Sequence, residues 1–254
     1  MENLVELLIG GTNLAVVDVA ILLGVSFLGS FIIVTMGIGG GSLVVATMAL
    51  ILPPPVLIPV HGVVQLGSNF GRALLMLRDV NFAIVPVFLI GTIIGAAIGG
   101  QLVVSLPVSV LQAVLAGFIL YTTWAPKFSS RSPGKRTFFG LGAIGAFVTM
   151  FVGATGPLVA TFVAAACKER QTYVATHATL MSIQHGLKVV AFGLLGFSFG
   201  PYLPLLAGLL VFGFAGTYIG KLVLMRLPEA MFRTGLKIVL TLIGLRLLYG
   251  AIIS

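Results

Sequence analysis

Two polar stripes contain most of the side chains in this sequence that could bind a charged ligand. The first stripe lies on the apolar stretch 56–77 and consists of His61, Gln65, Ser68, Asn69 and Arg72. Residues at these offsets share one face of an α-helix, so the five side chains are predicted to point the same way. A stretch of this length can cross a bilayer, where such a stripe must face protein or water.

A second stripe repeats the first in the other half of the chain. It lies on residues 172–195 and consists of His177, Gln184, His185 and Lys188. A shift of 116 residues places His61 on His177, and the same shift places Arg72 on Lys188. All three histidines of the chain lie in the two stripes, which makes the stripes the candidate functional residues.

The composition is that of a membrane protein. Hydrophobic residues make up 59% of the 254 residues, charged residues 8%, and the mean hydropathy is +1.19. A soluble domain of this length needs more charged surface, and the long apolar runs differ from the alternating pattern of a membrane β-barrel. The net charge of +8 is typical of cytoplasmic loops rich in Lys and Arg, and we predict no nucleic-acid partner. We therefore predict an all-α polytopic protein in a lipid bilayer.

Glycine-rich segments precede two short apolar segments. The sequence GIGGG at 37–41 is followed by 42–52, and GATGP at 153–157 is followed by 158–167 at the same shift of 116. A helix of about eleven residues rises only about 16 Å, which is too short to span a bilayer. We predict two re-entrant helical hairpins, each broken at a Gly-rich tip that is buried in protein or lines a cavity.

The chain is predicted to form one integral membrane domain made of two inverted repeats. The first repeat covers 1–124, a cytoplasmic linker covers 125–136, and the second repeat covers 137–254. Each repeat contains a hairpin and three transmembrane helices, and this odd number of crossings or part-crossings inverts the second repeat. With the linker in the cytoplasm, the opposite loops contain no Lys or Arg, as the positive-inside rule requires. Arg246 is the exception to this charge pattern.

Glycines at four-residue spacing predict that helices approach closely outside the stripes. Gly91, Gly95 and Gly99 form one such face, and a shift of 121 places Gly95 on Gly216 and Gly99 on Gly220. Small residues at this spacing let a second backbone approach.

The short arms of the hairpins favour an anion as ligand. Helix N-termini present free N–H groups, and Ser42 and Thr155 are predicted to cap them, with Pro157 at the first helical position. Arg72 and Lys188 add positive charge, and neither stripe contains a carboxylate to balance it. Either cation could instead reach the membrane interface, and the histidines could be buried hydrogen-bonding partners between helices. We predict a small anionic substrate, no metal and no cofactor, with binding residues Gly39, Gly40, Gly41, Ser42, His61, Gln65, Asn69, Arg72, Thr155, Gly156, His177, Gln184, His185 and Lys188.

The two tips, the two stripes and the internal duplication together resemble the TauE/SafE family of sulfite and organosulfonate exporters. The resemblance covers about 18–250. It implies a multi-pass permease of the bacterial inner membrane that exports sulfite, sulfoacetate or a related sulfur-containing anion by alternating access. Coupling to protons and a homodimer are both compatible with it.

Three other functions compete with export as interpretations of these features. A permease for another small anion, such as a carboxylate, would use the same features. A channel for ammonium-like cations could use paired histidines, but Arg72 and Lys188 would repel its ion. An intramembrane enzyme would need a nucleophile, a metal set or paired carboxylates, and three histidines without a neighbouring acid favour none of these. We therefore predict that the protein is not an enzyme.

The histidines are the side chains in the stripes that titrate near neutral pH. A bound anion favours a protonated imidazole, so proton and substrate would bind with mutual reinforcement. We expect anion affinity to rise as the pH falls from about 8 to about 6, in binding assays with a ligand that does not titrate in that range. Replacing His61, His177 and His185 together by glutamine should remove the slope, and a slope that survives would contradict histidine coupling.

Overall fold

The computed structural model describes residues 10–36, 39–124, 133–223 and 229–253, and this part of the chain is all-helical. Its α-helices are α1 (Val16–Met36), α2 (Gly40–Met48), α3 (Pro54–Leu75), α4 (Val85–Val103), α5 (Val108–Trp124), α6 (Lys135–Val152), α7 (Gly156–Ala166), α8 (Arg170–Leu194), α9 (Leu203–Val223) and α10 (Glu229–Ile253). Gly37 and Ile38 of the first tip, and most of the predicted linker, lie outside the described residues.

The helices confirm the predicted fold class of a polytopic α-helical membrane protein. Five described segments are long and apolar enough to span a bilayer: Val16–Val34, Val85–Val103, Lys135–Val152, Gly200–Gly220 and Thr234–Ile253. α3 and α8, with 22 and 25 residues, carry the polar stripes and are correspondingly less apolar. α2 and α7 are short, with nine and 11 residues, as the predicted hairpin arms require.

The strongest helix contacts among the described residues each join one predicted repeat to the other. α3 packs on α8 and α5 packs on α10, so these two contacts pair equivalent helices. α4 packs on α6, and its equivalent α9 packs on α1. This exchange of partners is the pattern that a two-fold relation between the halves would produce; the opposite membrane orientation of the halves stays a prediction.

The glycine face of α4 lies against the backbone of α6, which confirms the predicted close approach. A Cβ atom at Gly95 would overlap the carbonyl oxygen of Ala143, and one at Gly99 would lie 3.0 Å from the carbonyl oxygen of Phe147. Any larger residue at Gly95 would therefore push the two helices apart.

The second glycine face makes the equivalent contacts between α9 and α1. A Cβ atom at Gly216 would overlap the carbonyl oxygen of Phe27, and one at Gly220 would lie 3.1 Å from the carbonyl oxygen of Phe31. A shift of 116 relates Phe27 to Ala143 and Phe31 to Phe147. The contact of α4 with α6 is therefore equivalent to the contact of α9 with α1, with a shift of 121 on the glycine side and a shift of 116 on the other.

We predict that Gly95→Ala and Gly216→Ala each destabilise the protein to a similar extent. Forcing a methyl group into such a contact costs about 1–3 kcal/mol, which lowers the melting temperature by several degrees. Gly117→Ala is the matched control, because a Cβ there meets no atom within 4 Å and alanine favours the helix. Thermal unfolding in detergent measures all three variants, and an unchanged melting temperature for Gly95→Ala would contradict the contact.

Candidate functional site

The two stripe helices, α3 and α8, lie side by side and run in opposite directions. Two cavities along the pair show this. The central cavity is lined by the later part of α3, through Arg72, and the early part of α8, from His177. The apolar cavity is lined by Pro54 and Pro55 at the start of α3 and by Leu195 just after the end of α8.

The central cavity brings both tips and both stripes together. Its volume is about 40 Å³, and it is lined by Ile33, Gly39, Gly41, Ser42, His61, Gln65, Asn69, Arg72, Ala154, Gly156, Pro157, His177, Met181 and His185. About 10–15 Å³ holds one water molecule on this measure, so the cavity has room for a few waters or one small anion.

Most of the predicted binding residues line this cavity, although a ligand-binding role for them stays a prediction. Gly40, Thr155, Gln184 and Lys188 do not line it. The lining residues missing from the sequence prediction are Ile33, Ala154, Pro157 and Met181. Met181 is the equivalent of Gln65 under the shift of 116, so the repeat itself could have identified it.

The first tip is held against α3 by the first stripe. Gly39 is the N-cap of α2, with a φ of 97° that favours glycine. The Nε2 atom of His61 lies 3.3 Å from the carbonyl oxygen of Gly41. A Cβ atom at Gly41 would lie 3.2 Å from Nε2 of Gln65. The predicted capping role of Ser42 is wrong, because α2 begins two residues earlier and Ser42 lies inside its first turn.

The second tip is held against α8 by the second stripe. Nε2 of His177 lies 3.2 Å from the carbonyl oxygen of Gly156, as His61 lies near Gly41 in the first tip. Thr155 is the N-cap of α7, but its side chain makes no capping hydrogen bond. Its hydroxyl instead accepts a hydrogen bond of 2.9 Å from Nε2 of Gln184, which explains why both residues lie outside the cavity lining.

Pro157 follows Gly156 as the second residue of α7, one position later than predicted. Proline fits the first turn of a helix because the N–H groups there have no intrahelical partner.

The two stripe cations make different contacts, although the shift makes them equivalent. Arg72 donates from Nη2 to Oδ1 of Asn69 at 2.9 Å and from Nε to the carbonyl oxygen of Ser68 at 3.2 Å. It lines the central cavity, and no described residue accepts a hydrogen bond from its Nη1. Lys188 is fully buried at 0% exposure and donates from Nζ to the carbonyl oxygen of Gly153 at 3.0 Å. Lys188 therefore does not extend to a membrane interface.

Two imidazole nitrogens near the centre of the site have no hydrogen-bond partner among the described residues. They are Nδ1 of His61 and Nδ1 of His185, and the two rings lie edge to face with centroids 6.0 Å apart. A carbonyl oxygen accepts, so Nε2 of His61 carries the hydrogen toward Gly41 and Nδ1 of the neutral ring is an acceptor. Buried polar atoms are normally paired, which makes these two unpaired nitrogens exceptions.

The lining of the central cavity is positive. It includes the guanidinium of Arg72 and the first turns of α2 and α7, and no acidic residue of the described part of the chain lines it. Helix N-termini carry a partial positive charge, and their free N–H groups bind anions. Among the described residues, no three His, Cys, Asp or Glu side chains lie close enough to hold a metal ion.

An all-helical membrane protein with a positive cavity beside the N-termini of two short helices is compatible with the class of membrane transporters, and the family match assigns the chain to that class. This chain belongs to the family described as "Sulfite exporter TauE/SafE", whose profile matches residues 22–247. It is also 28% identical over 190 residues to a protein of Haemophilus influenzae named "Probable membrane transporter protein", which covers 70% of this chain and 74% of that protein. No solved structure gives a significant match.

Proposed function

We propose that this transporter exports a small sulfur oxyanion, with sulfite as the first candidate, across the bacterial inner membrane. The observation that carries the proposal is the central cavity, where Arg72 and two helix N-termini converge and where no described acidic residue lines the wall. The family to which the chain belongs is named for sulfite export, and this supports the choice of anion.

The volume of the central cavity favours an anion of the size of sulfite. About 40 Å³ accommodates a compact oxyanion but not the additional acetate group of sulfoacetate, unless the side chains rearrange. Small carboxylates such as formate also fit by size. Sulfite differs from them by its greater charge, which the guanidinium of Arg72 and both helix N-termini could share.

We infer that transport proceeds by alternating access between inverted repeats. α3 and α8 are equivalent under the shift of 116 and run in opposite directions, as repeats related by an axis in the membrane plane require. Arg78 and Lys168 are both exposed, close to the end of α3 and the start of α8. They lie at the same end of the pair, which the positive-inside rule assigns to the cytoplasm.

Export of the anion agrees with the direction of the membrane potential. A negative cell interior drives each negative charge outward by about 2.3 kcal/mol per 100 mV. Export therefore needs no coupled proton. A proton taken up with the anion at Nδ1 of His61 or His185 would cancel one charge and reduce this driving force.

A thermal-shift screen tests the proposed substrate. Sulfite should raise the melting temperature of the purified protein, because a ligand at 100 times its Kd adds about 2.7 kcal/mol to stability. Sulfoacetate, taurine, thiosulfate, formate and acetate are the competing ligands. Stabilisation by carboxylates alone would favour the alternative function of a carboxylate permease. Stabilisation by ammonium but by none of the anions would contradict the proposal and favour a cation channel.

A further inference from the structure

The second cavity has no assigned role in the proposed function. The apolar cavity has a volume of about 260 Å³ and is lined by Pro54, Pro55, Ile58, Val103, Val104, Leu106, Leu111, Phe192, Leu195, Gly196 and Phe197. It adjoins the start of α3 and the end of α8, at the opposite end of the helix pair from Arg72.

The two cavities lie in line along the same two helices. On α3, Ile58 lines the apolar cavity and His61, one turn later, lines the central cavity. On α8, His185 lines the central cavity and Phe192, two turns later, lines the apolar cavity. Lys188 lies between those two residues and lines neither cavity, so it belongs to the layer that separates them.

The layer between the cavities is built around Lys188 and the second tip. Nζ of Lys188 donates to the carbonyl oxygen of Gly153. A Cβ atom at Gly62 on α3 would lie 2.9 Å from Cε of Lys188, so the lysine side chain lies against α3. A Cβ atom at Gly153 would lie 2.8 Å from Cγ2 of Val45 and 3.3 Å from Nδ1 of His61. One hydrogen bond therefore joins α8 to the tip at the point where α2, α3 and the tip meet.

The equivalent cation makes different contacts at the other end of the stripes. Arg72 donates to Ser68 and Asn69 on its own helix and lines the central cavity, whereas Lys188 donates to a tip and is fully buried. In a transporter built from inverted repeats, a difference between equivalent positions distinguishes the closed side from the open side. Lys188 is fully buried and Arg72 is partly exposed, so the central cavity is closed toward the apolar cavity and approaches the surface at Arg72.

We propose that the apolar cavity is the exit vestibule of the anion pathway and that the hydrogen bond from Lys188 to Gly153 is the gate between vestibule and site. The proposal rests on the proposed transport function. An anion that displaces the carbonyl of Gly153 from the lysine would open the route, because the ammonium can bond to the anion instead. In the apolar vestibule the anion must keep its hydration shell, because a bare charge among apolar side chains is costly, and it meets no competing binding site before it reaches water.

Cysteine accessibility tests the gate without requiring transport. Ser42→Cys places a thiol of nearly the same size in the central cavity, in a Cys167→Ser background that removes the chain's single cysteine. Ag⁺, a thiol reagent small enough for the central cavity and membrane-impermeant, is applied in chloride-free buffer to intact cells, which present the predicted vestibule side, and to inside-out vesicles, which present the other side. With the gate intact, the reaction should be fast in vesicles and slow in cells.

Lys188→Met should raise the reaction rate in cells at least about tenfold, the factor that corresponds to about 1.4 kcal/mol, close to the contribution of one hydrogen bond. Lys188→Arg keeps a cationic donor and should keep the slow rate. The fast reaction in vesicles shows that each variant is folded. An unchanged rate in cells for Lys188→Met, with the vesicle reaction retained, would overturn the gate. A rise with Lys188→Arg as large as with Lys188→Met would also overturn it.

The thermal shift with sulfite separates failure of the gate from failure of the function. Stabilisation by sulfite with an unchanged labelling rate would leave the exporter proposal standing and reject the gate. A changed labelling rate without stabilisation by any anion would show that the cavities connect through Lys188 and would reject the anion as ligand.

Discussion

Replacing Arg72 by glutamine should weaken the binding of sulfite by about 100-fold or more. Among the described residues, Arg72 provides the one Lys or Arg side chain that lines the central cavity, and hydrogen bonds to charged groups contribute about 1.5–3 kcal/mol each. Each 1.4 kcal/mol corresponds to about a factor of ten in Kd. Arg72→Lys keeps the charge but loses the planar pair of donors, so an intermediate loss of affinity is expected.

Arg78→Gln is the matched control for Arg72→Gln. It removes the same charge six residues further along the chain, from an exposed position in the 3-10 turn Leu77–Asp79. Isothermal titration with sulfite measures both variants, and thermal unfolding without ligand shows whether they are folded. Equal affinities for Arg72→Gln and Arg78→Gln would remove Arg72 from the binding site.

Replacing Gly153 by alanine should reduce sulfite affinity at least about tenfold. Gly153 has a φ of 78°, and an L-residue in a left-handed conformation costs about 1–2 kcal/mol. The new Cβ would also lie 2.8 Å from Cγ2 of Val45, so the tip must move. Because α7 starts three residues later, this movement displaces the N–H groups that are proposed to bind the anion.

Gly196→Ala separates backbone strain from displacement of the tip. Gly196 has a similar φ of 93°, but a Cβ there meets no atom within 4 Å. It should lower the melting temperature and leave sulfite affinity unchanged. A loss of affinity as large in Gly196→Ala as in Gly153→Ala would mean that general destabilisation, and not the tip, determines binding.

The sequence determined the helices and their internal duplication. Apolar runs broken by glycine and proline predicted the two stripe helices and the two short helices to within a few residues, because helix length and period are local properties of the chain. The glycine spacing also predicted that α4 and α9 each let another backbone approach closely, although it did not identify the partner helices. A Cβ atom at Gly95 or at Gly216 would overlap a carbonyl oxygen of the neighbouring helix, so the same kind of contact occurs in both repeats. Small residues at this spacing allow such a close approach of two backbones.

The sequence also placed the candidate site on two helix faces, but it did not determine which residues of each face line the cavity. The spacing of polar residues identifies which side chains share one helix face. It does not determine where along their lengths the two helices contact each other. Gln184 and Lys188 lie on the predicted face, yet their hydrogen bonds to Thr155 and Gly153 hold the second tip and keep them out of the cavity.

Only the tertiary structure decided which of two equivalent cations lines the cavity. Arg72 and Lys188 occupy the same position in the repeat, so no pattern along the chain separates their roles. Their difference depends on how each tip lies against its stripe, which long-range packing of α2, α3 and α8 sets. The apolar cavity has the same origin, because its lining joins the ends of helices that are far apart in the chain.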